Sequence, residues 1–195
     1  MPAHLISCIV TAMLRRTVVL GGLTASLLPS LPSRAADLLP MPALDAKGFY
    51  LAEWQRPTTG DVSQDLARAT AEGKVLAMFW EMSPCPYCTQ MHAALRDPAL
   101  RALAGDGMYS VRYDKLGARD VVDFNGVPRT EREIGLAHKV IGSPTIVFRT
   151  ADKRDVGRVP GYVNPKFLQA ALEFATEGAY KDRTIAAWLR AKGVL

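Results

Sequence analysis

Residues 75–88 decide the fold of this chain, and they read VLAMFWEMSPCPYC. The first six of them are continuously apolar, which is typical of a strand that is covered on both faces of a sheet. Pro86 is tolerated in the first turn of a helix, and apolar residues recur after it at helical spacing. The stretch therefore predicts a buried strand followed by a helix, with Cys85 at the helix N-terminus.

The N-terminal stretch carries the pattern of an export signal. Arg15 and Arg16 precede an apolar block over residues 17–28, which has the length of a signal-peptide core and is shorter than the roughly 20 residues that span a bilayer. Small residues permit cleavage after Ala35, so residues 1–35 are predicted to be a signal peptide. The alternative is an uncleaved N-terminal anchor, and both the Sec and the twin-arginine routes are compatible with the pattern.

Composition and charge exclude several classes of protein. Hydrophobic residues make up 49% and charged residues 22% of the 195 residues, a soluble globular profile that fits neither a disordered nor a polytopic membrane chain. The formal net charge is +5, and it falls to +2 once Arg15, Arg16 and Arg34 leave with the signal peptide. Such a small and interspersed charge gives no reason to expect nucleic acid as a partner.

Two cysteines follow the signal peptide, because Cys8 leaves with it. In an exported chain Cys85 and Cys88 are free to pair with each other. A disulfide across a four-residue loop removes only about 2 kcal/mol of unfolded-state entropy, against about 3 kcal/mol for a 15-residue loop. A chain of this size buries its own core without one. We therefore interpret the pair as a reactive dithiol rather than as a structural staple.

Two parts are predicted after the signal peptide. Residues 36–60 are rich in proline and poor in periodicity, so they are predicted to form an extended N-terminal segment. Its local anchors are predicted to be Phe49, Tyr50, Leu51 and Trp54. Residues 61–195 are predicted to form the folded domain.

Hydrophobic patterning predicts the architecture of this domain. Strands are predicted at residues 75–80, 108–114, 145–148 and 155–159. Helical patterns lie between and after the strands, which predicts a mixed sheet sandwiched by helices. The Asn125-Gly126 pair lies between short β-type runs and predicts a small inserted hairpin.

Two helix starts are predicted from capping boxes. Asp61 is followed three residues later by Gln64, and Thr130 is followed three residues later by Glu133. In each pair the first side chain is expected to accept a backbone N–H and the second to reach back.

These features, taken in order, resemble the thioredoxin fold. A CxxC motif follows the first strand, Ser143-Pro144 precedes the third strand, and Gly161 follows the fourth. The resemblance covers roughly residues 61–178. More narrowly, the chain is similar to the SoxW-type periplasmic thioredoxins, which are associated with sulfur-oxidation systems. The motifs that carry this likeness are Cys-Pro-Tyr-Cys, Asp123-Phe124-Asn125-Gly126, Pro160-Gly161-Tyr162 and Glu177-Gly178-Ala179-Tyr180.

The resemblance implies an α/β thioredoxin fold and a set of substrate-binding residues. It implies that the Ser143–Pro144 peptide is cis and packs opposite the cysteines. Proline removes a backbone donor there, while the backbone of Ser143 is free to pair with an extended substrate strand. Pro86 and Tyr87 are expected at the rim of the same surface, with Tyr87 contributing to specificity.

The resemblance also implies location and partners. A periplasmic protein is expected, with disulfide-bearing periplasmic proteins as its substrates and a membrane electron carrier of the CcdA type as its reductant. No cofactor is expected beyond the redox-active Cys85–Cys88 disulfide.

The chemistry expected of the dithiol depends on which sulfur is ionised. A thiolate, not a thiol, attacks a disulfide. A helix N-terminus favours an anion, so its position is expected to lower the pKa of the Cys85 thiol. Cys85 is therefore the expected attacking sulfur, and Cys88, one turn further into the helix, is the expected resolving sulfur.

The sequence departs from the thioredoxin pattern at two positions. Thioredoxins proper usually carry a buried acidic residue in the strand below the cysteines and a tryptophan just before the first cysteine. Here Met78 or Phe79 occupies the first place and Pro84 the second. Glu81 is the nearest carboxylate and is a candidate proton acceptor, the alternative being a solvated strand end.

His92 lies on the helix that carries the cysteines, four residues after Cys88. A closed zinc site needs four ligands, and His138 is the only other histidine after the signal peptide. Two thiolates are able to satisfy Cu(I), which leaves a copper-carrier alternative. The expectation adopted is no metal, with His92 a packed or solvated helix residue.

An exported thiol:disulfide oxidoreductase of reducing direction is therefore expected. A disulfide-forming oxidase is the first alternative, but no large helical insertion is predicted between the second strand and Pro144. A copper-binding chaperone with the same fold is the second alternative.

Overall fold

The structure is a computed structural model that describes residues 37–195. The predicted signal peptide lies outside the described residues. Among the residues described, no helix combines the length and the apolar character needed to cross a membrane.

The elements follow one another as the periodicity predicts. The helices are α1 (Val62–Ala71), α2 (Pro86–Ala94), α3 (Pro98–Gly105), α4 (Glu131–Ala137), α5 (Pro165–Thr176) and α6 (Ile185–Ala191), with a short 3-10 helix at Ala179–Lys181. The strands are β1 (Leu76–Glu81), β2 (Tyr109–Asp114), β3 (Asp120–Val122), β4 (Pro128–Thr130), β5 (Thr145–Arg149) and β6 (Asp155–Pro160).

Four strands form the central sheet, in the order β2-β1-β5-β6. β1 pairs parallel with β2 and antiparallel with β5, and β5 pairs antiparallel with β6. β3 and β4 form a separate antiparallel hairpin. The predicted mixed sheet with flanking helices and an inserted hairpin is therefore confirmed.

β1 is buried along its whole length and separates two apolar cores. Leu76, Met78 and Trp80 belong to the core that β1 shares with α1 and α4, whereas Ala77 and Phe79 belong to the core beneath α2, α3, α5 and α6. This alternation follows from the two-residue period of a strand. A strand fixed on both faces holds its carboxyl end rigidly, and Cys85 follows that end by four residues.

One of the two predicted capping boxes forms completely. The side chains of Thr130 and Glu133 cap α4 reciprocally. At α1 the Asp61 carboxylate accepts the Gln64 backbone N–H at 3.0 Å, but the Gln64 amide donates to that carboxylate instead of accepting the Asp61 N–H. The reason is local, because the Asp61 N–H already donates to the hydroxyl of Thr59 at 3.2 Å.

The N-terminal segment packs against the sheet and α2. Phe49 is buried, and the ring of Trp54 meets the ring of Phe79 edge-on at 5.1 Å. Leu51 is 55% exposed, so the prediction that it is an anchor is wrong. Its neighbour Ala52 is buried in its place.

Candidate active site

Cys85 and Cys88 are joined by a disulfide at the start of α2. Cys85 is the N-cap residue, and its sulfur accepts the backbone N–H of Cys88 at 3.0 Å. Cys85 is half-buried, whereas Cys88 is only 2% exposed. The two sulfurs therefore differ in access, and the accessible one lies at the positive end of the helix dipole.

The loop before β5 lies against both sulfurs. The hydroxyl oxygen of Ser143 is 3.3 Å from the Cys88 sulfur and 3.8 Å from the Cys85 sulfur. The same hydroxyl donates to the carbonyl oxygen of Trp80 at 3.2 Å. Pro144 is buried, and its carbonyl oxygen accepts the N–H of Gly161 at 2.7 Å. The Ser143–Pro144 and Ser83–Pro84 peptides are both cis.

The fold thus brings Cys85, Cys88 and Ser143 together, although 55 residues separate Cys88 from Ser143. Pro86 and Tyr87 are exposed beside the disulfide, with Tyr87 exposed over 58% of its surface. Both residues therefore lie at the rim of the disulfide site.

Glu81 and His92 form a buried pair behind the disulfide. Glu81 is 1% exposed, so the reading of it as a solvated strand end is wrong. One carboxylate oxygen is 3.0 Å from Nε2 of His92, and the other accepts the side-chain amide of Gln55 at 3.3 Å. The pair forms because Glu81 ends β1 and His92 lies on the inward face of α2, which packs across that end.

The surroundings of His92 assign its tautomer. Its Nδ1 atom is buried and has no hydrogen-bond partner among the described residues. A buried N–H without an acceptor costs about 1–3 kcal/mol, so the hydrogen lies on Nε2, where it is donated to Glu81. The neighbouring groups thus assign the Nε2–H tautomer to His92, with the Glu81 carboxylate as the acceptor.

A cavity of about 270 Å³ joins Glu81 to the disulfide. Both cysteines line it, together with residues 81–84. Its opposite wall comes from the N-terminal segment, through Leu44, Gly48, Phe49 and Tyr50. Neither Ser143 nor Pro144 lines it.

The turn over residues 44–50, called here the 44–50 turn, is held in place by contacts with β2 and α2. Arg112 of β2 donates to the carbonyl oxygen of Tyr50 at 3.3 Å and lies over the ring of Phe49 at 4.6 Å. The Tyr50 hydroxyl donates to the Thr89 hydroxyl of α2 at 3.0 Å, and its ring lies 4.4 Å from that of His92.

Gly48 brings this turn into direct contact with the cysteine loop. Its φ of +80° lies in the region that favours glycine, and a Cβ atom there would meet the Ser83 hydroxyl at 2.4 Å. Within the turn the Asp45 carboxylate accepts the N–H groups of Lys47 and Phe49. The Phe49 bond is the main reason that the pKa of Asp45 lies below its ordinary value.

His92 does not join the cysteines in a metal cluster. Its Nε2 atom faces Glu81, and within residues 37–195 no three His, Cys, Asp or Glu side chains are grouped as metal ligands.

A sequence model of the thioredoxin-like domain matches residues 62–176. The chain belongs to the thioredoxin-like family. Members of this family are thiol–disulfide oxidoreductases, and this member has the fold and the CxxC-spaced disulfide of such an enzyme. The comparison with curated proteins found no match.

Solved structures share the fold of this thioredoxin-like protein. A thioredoxin-fold protein from Helicobacter pylori is 18% identical, with a TM-score of 0.59 over 73% of this chain and 94% of that chain. A proposed disulphide-isomerase from Bacteroides thetaiotaomicron is also 18% identical, with a TM-score of 0.50 over 63% of this chain and 92% of that chain. At such identity the likeness concerns the fold alone.

Sequence reasoning missed Tyr50 and Gln55 as members of the site. Both lie in the N-terminal segment, at least 30 residues before the cysteines, and no periodic pattern points from them to α2. The aromatic residues of that segment were the available signal, because large aromatic side chains in a segment without its own core are expected to pack against the surface of the domain.

Proposed function

We propose that this chain is an exported thiol:disulfide oxidoreductase that reduces disulfides of periplasmic proteins. One observation carries the proposal: an accessible sulfur caps a helix N-terminus and is bonded to a buried sulfur one turn later. That asymmetry suits a nucleophile that captures a partner and a second thiol that releases it. A purely structural disulfide does not require this difference in access between its two sulfurs.

The reaction proceeds in two exchange steps. The Cys85 thiolate attacks one sulfur of the substrate disulfide, and the other substrate sulfur leaves with the bonding electron pair and takes up a proton. The Cys88 thiol then loses its proton and attacks the Cys85 sulfur. The second substrate sulfur leaves as a thiol, and the Cys85–Cys88 disulfide forms. Two electrons have passed from the enzyme to the substrate.

The surroundings of the two sulfurs support these roles. The Cys88 N–H and the α2 dipole stabilise negative charge on Cys85. Glu81 opens onto the cavity that Cys88 also lines, so the cavity offers a path for the proton of Cys88. We propose Glu81 as the proton acceptor, with Gln55 and His92 as positioning residues that hold its carboxylate.

The Ser143–Pro144 loop supports substrate binding beside the sulfurs. An extended substrate strand would pair with the backbone of Ser143, while Pro144 offers no competing N–H. Pro86 and Tyr87 would contact the substrate at the rim.

We further propose the setting of the reaction. The predicted signal peptide supports export to the periplasm, and the likeness of motifs to the SoxW-type thioredoxins supports a role in sulfur oxidation. A membrane carrier of the CcdA type would reduce the Cys85–Cys88 disulfide after each turnover, since the oxidised enzyme needs two electrons from a dithiol.

A resolving-dead variant tests the assignment of roles. Cys88→Ala is expected to hold periplasmic partners as mixed disulfides that reducing agent releases, because no second thiol completes the exchange. Cys85→Ala is the matched control and is expected to hold none. Equal yields from the two variants would contradict the roles given to the two sulfurs.

Redox titration tests the direction. Equilibrating the wild-type protein with glutathione buffers is expected to give a potential near that of reducing thioredoxins, about −270 mV. A value near −120 mV would instead indicate a disulfide-forming oxidase. Stoichiometric Cu(I) binding without insulin reduction would favour a copper chaperone and contradict the proposal.

A further inference from the structure

We infer that the cavity beside the disulfide is a subsite for a lysine side chain adjacent to the target cysteine of a protein substrate. The inference rests on the proposed function and adds a substrate preference to it. Its basis is the position, the size, the charge and the rigidity of the cavity.

The position suits a side chain that flanks the target cysteine. Both sulfurs line the cavity, so an occupant lies within one residue of the bond that is exchanged. The Ser143–Pro144 loop does not line it, which leaves that loop free to hold the substrate backbone. Backbone and side chain would therefore be recognised by different surfaces of the same site.

The size suits one side chain. Pockets for drug-sized ligands are about 300–1,000 Å³, and this cavity, at about 270 Å³, is smaller. Leu44, Phe49 and Met82 supply apolar wall, which suits the aliphatic stem of a lysine.

The charge of the lining selects the end of that side chain. Glu81 is the one acidic residue that lines the cavity, and within residues 37–195 no lysine, arginine or histidine lines it. The charge of Arg112 lies behind the 44–50 turn, where it contacts the Phe49 ring and the Tyr50 carbonyl. The lining therefore complements a cation and opposes an acidic side chain.

The cavity wall is held in place before any substrate arrives. Arg112 of β2, Thr89 of α2 and Ser83 of the cysteine loop contact the 44–50 turn. A pocket that is already ordered loses little conformational entropy when it is filled, which strengthens selection by the side chain.

Single-turnover rates with short peptides test the inference. The reduced wild-type protein is mixed with blocked Ala-X-Cys-Ala peptides in which the cysteine carries a 2-thiopyridyl group and X is lysine, norleucine or glutamate. Release of thiopyridone follows attack on the peptide sulfur. Each rate is divided by the rate with 2-mercaptoethanol, which corrects for the intrinsic reactivity of the peptide.

The lysine peptide is expected to react about 10-fold faster than the glutamate peptide, with norleucine between them, because a charge-assisted hydrogen bond gives discrimination of that order. Leu44→Lys places a cation at the cavity mouth and is expected to reduce the lysine-to-glutamate ratio at least threefold. Leu51→Lys is the matched control, since Leu51 is equally exposed, at 55%, and does not line the cavity. Its ratio is expected to equal that of the wild type.

Equal corrected rates for the three peptides would overturn the inference, and so would an unchanged ratio in Leu44→Lys. A cystamine-derived pyridyl disulfide that reacts as fast as the lysine peptide would assign the cavity to small molecules and would also overturn it. A neutral hydroxyethyl pyridyl disulfide separates the two hypotheses. If this neutral compound does not react with the reduced protein, the proposed reductase function is wrong, and so is the subsite that depends on it. If it reacts while the peptides show no preference, only the subsite is wrong.

Discussion

At the residue scale, the Ser143 hydroxyl contacts both sulfurs across the site. Its hydrogen is donated to the Trp80 carbonyl oxygen, so it faces the sulfurs as an acceptor. The reduced Cys88 thiol has an S–H that can donate to it, whereas the disulfide has no hydrogen to donate, so the contact favours the dithiol form. Ser143→Ala is therefore expected to lower the reduction potential by roughly 10–30 mV, which corresponds to one hydrogen bond of about 0.5–1.5 kcal/mol. Titration against a dithiothreitol couple measures the shift. Ser63→Ala, far from the sulfurs, is expected to leave the potential unchanged, and an equal shift in both variants would contradict the assignment.

Glu81 is the second residue with a defined expectation. Glu81→Gln keeps the size of the side chain but removes its capacity to accept a proton, so the resolving step is expected to slow by about 100-fold. Quenched-flow trapping would then show the mixed disulfide accumulating, while alkylation of Cys85 by iodoacetamide keeps its wild-type rate. Glu53→Gln, at an exposed position, is the control. Should both steps of Glu81→Gln proceed at wild-type rates, Glu81 has a structural role only.

The Glu81–His92 pair also marks a limit of prediction from sequence. Glu81 was identifiable as the nearest carboxylate, because its distance along the chain from the cysteines is short. Its burial depends on how α2 crosses the end of β1 and on Gln55, which comes from a distant segment. No local pattern encodes a crossing angle, so the pair appears only when the elements are packed.

At the element scale, the β3–β4 hairpin is fastened to α4 and β5 through His138. Its Nε2 atom is 2.8 Å from the carboxylate of Asp123, and its Nδ1 atom faces Arg149 at 3.1 Å. Arg149 is a donor only, so Nδ1 accepts and His138 is neutral in this arrangement. Phe124 stacks on the imidazole at 5.5 Å and completes the contact.

This contact predicts a pH dependence of stability. Burial, partly opposed by Asp123, lowers the pKa of His138 in the folded state, so below its ordinary value of about 6.5 the unfolded chain binds more protons than the folded one. The free energy of unfolding is therefore expected to fall as the pH decreases from about 6.5, and to be fully retained above it. Urea unfolding at pH 7.5, 6 and 5 measures the loss. His138→Gln is expected to flatten this part of the profile, and a slope as steep as that of the wild type would contradict the role of His138.

The order of the elements was predictable for a physical reason. Continuous apolar runs such as residues 75–80 indicate strands buried on both faces, and Thr130 with Glu133 marks the start of α4 within four residues of sequence. These signals are local. The docking of the 44–50 turn is not, because it depends on Arg112, which lies more than 60 residues later in the chain.

At the scale of the whole molecule, stability comes mainly from the two apolar cores on either side of β1, and the disulfide adds little. Reducing the Cys85–Cys88 bond releases a four-residue loop, which is expected to lower the free energy of unfolding by at most about 2 kcal/mol. Phe148→Ala, at a fully buried position of the sheet, is expected to cost about 3–5 kcal/mol.

Chemical unfolding of the oxidised protein, the reduced protein and Phe148→Ala compares these effects directly. A redox enzyme alternates between its two forms in every turnover, so both forms have to stay folded, and the reduced protein is expected to unfold in one cooperative transition close to that of the oxidised protein. The Cys85→Ser/Cys88→Ser double variant controls for the reducing agent. If reduction destabilised the molecule more than Phe148→Ala does, the disulfide would be a structural element of the fold, and the dithiol chemistry proposed for it would lose its physical basis.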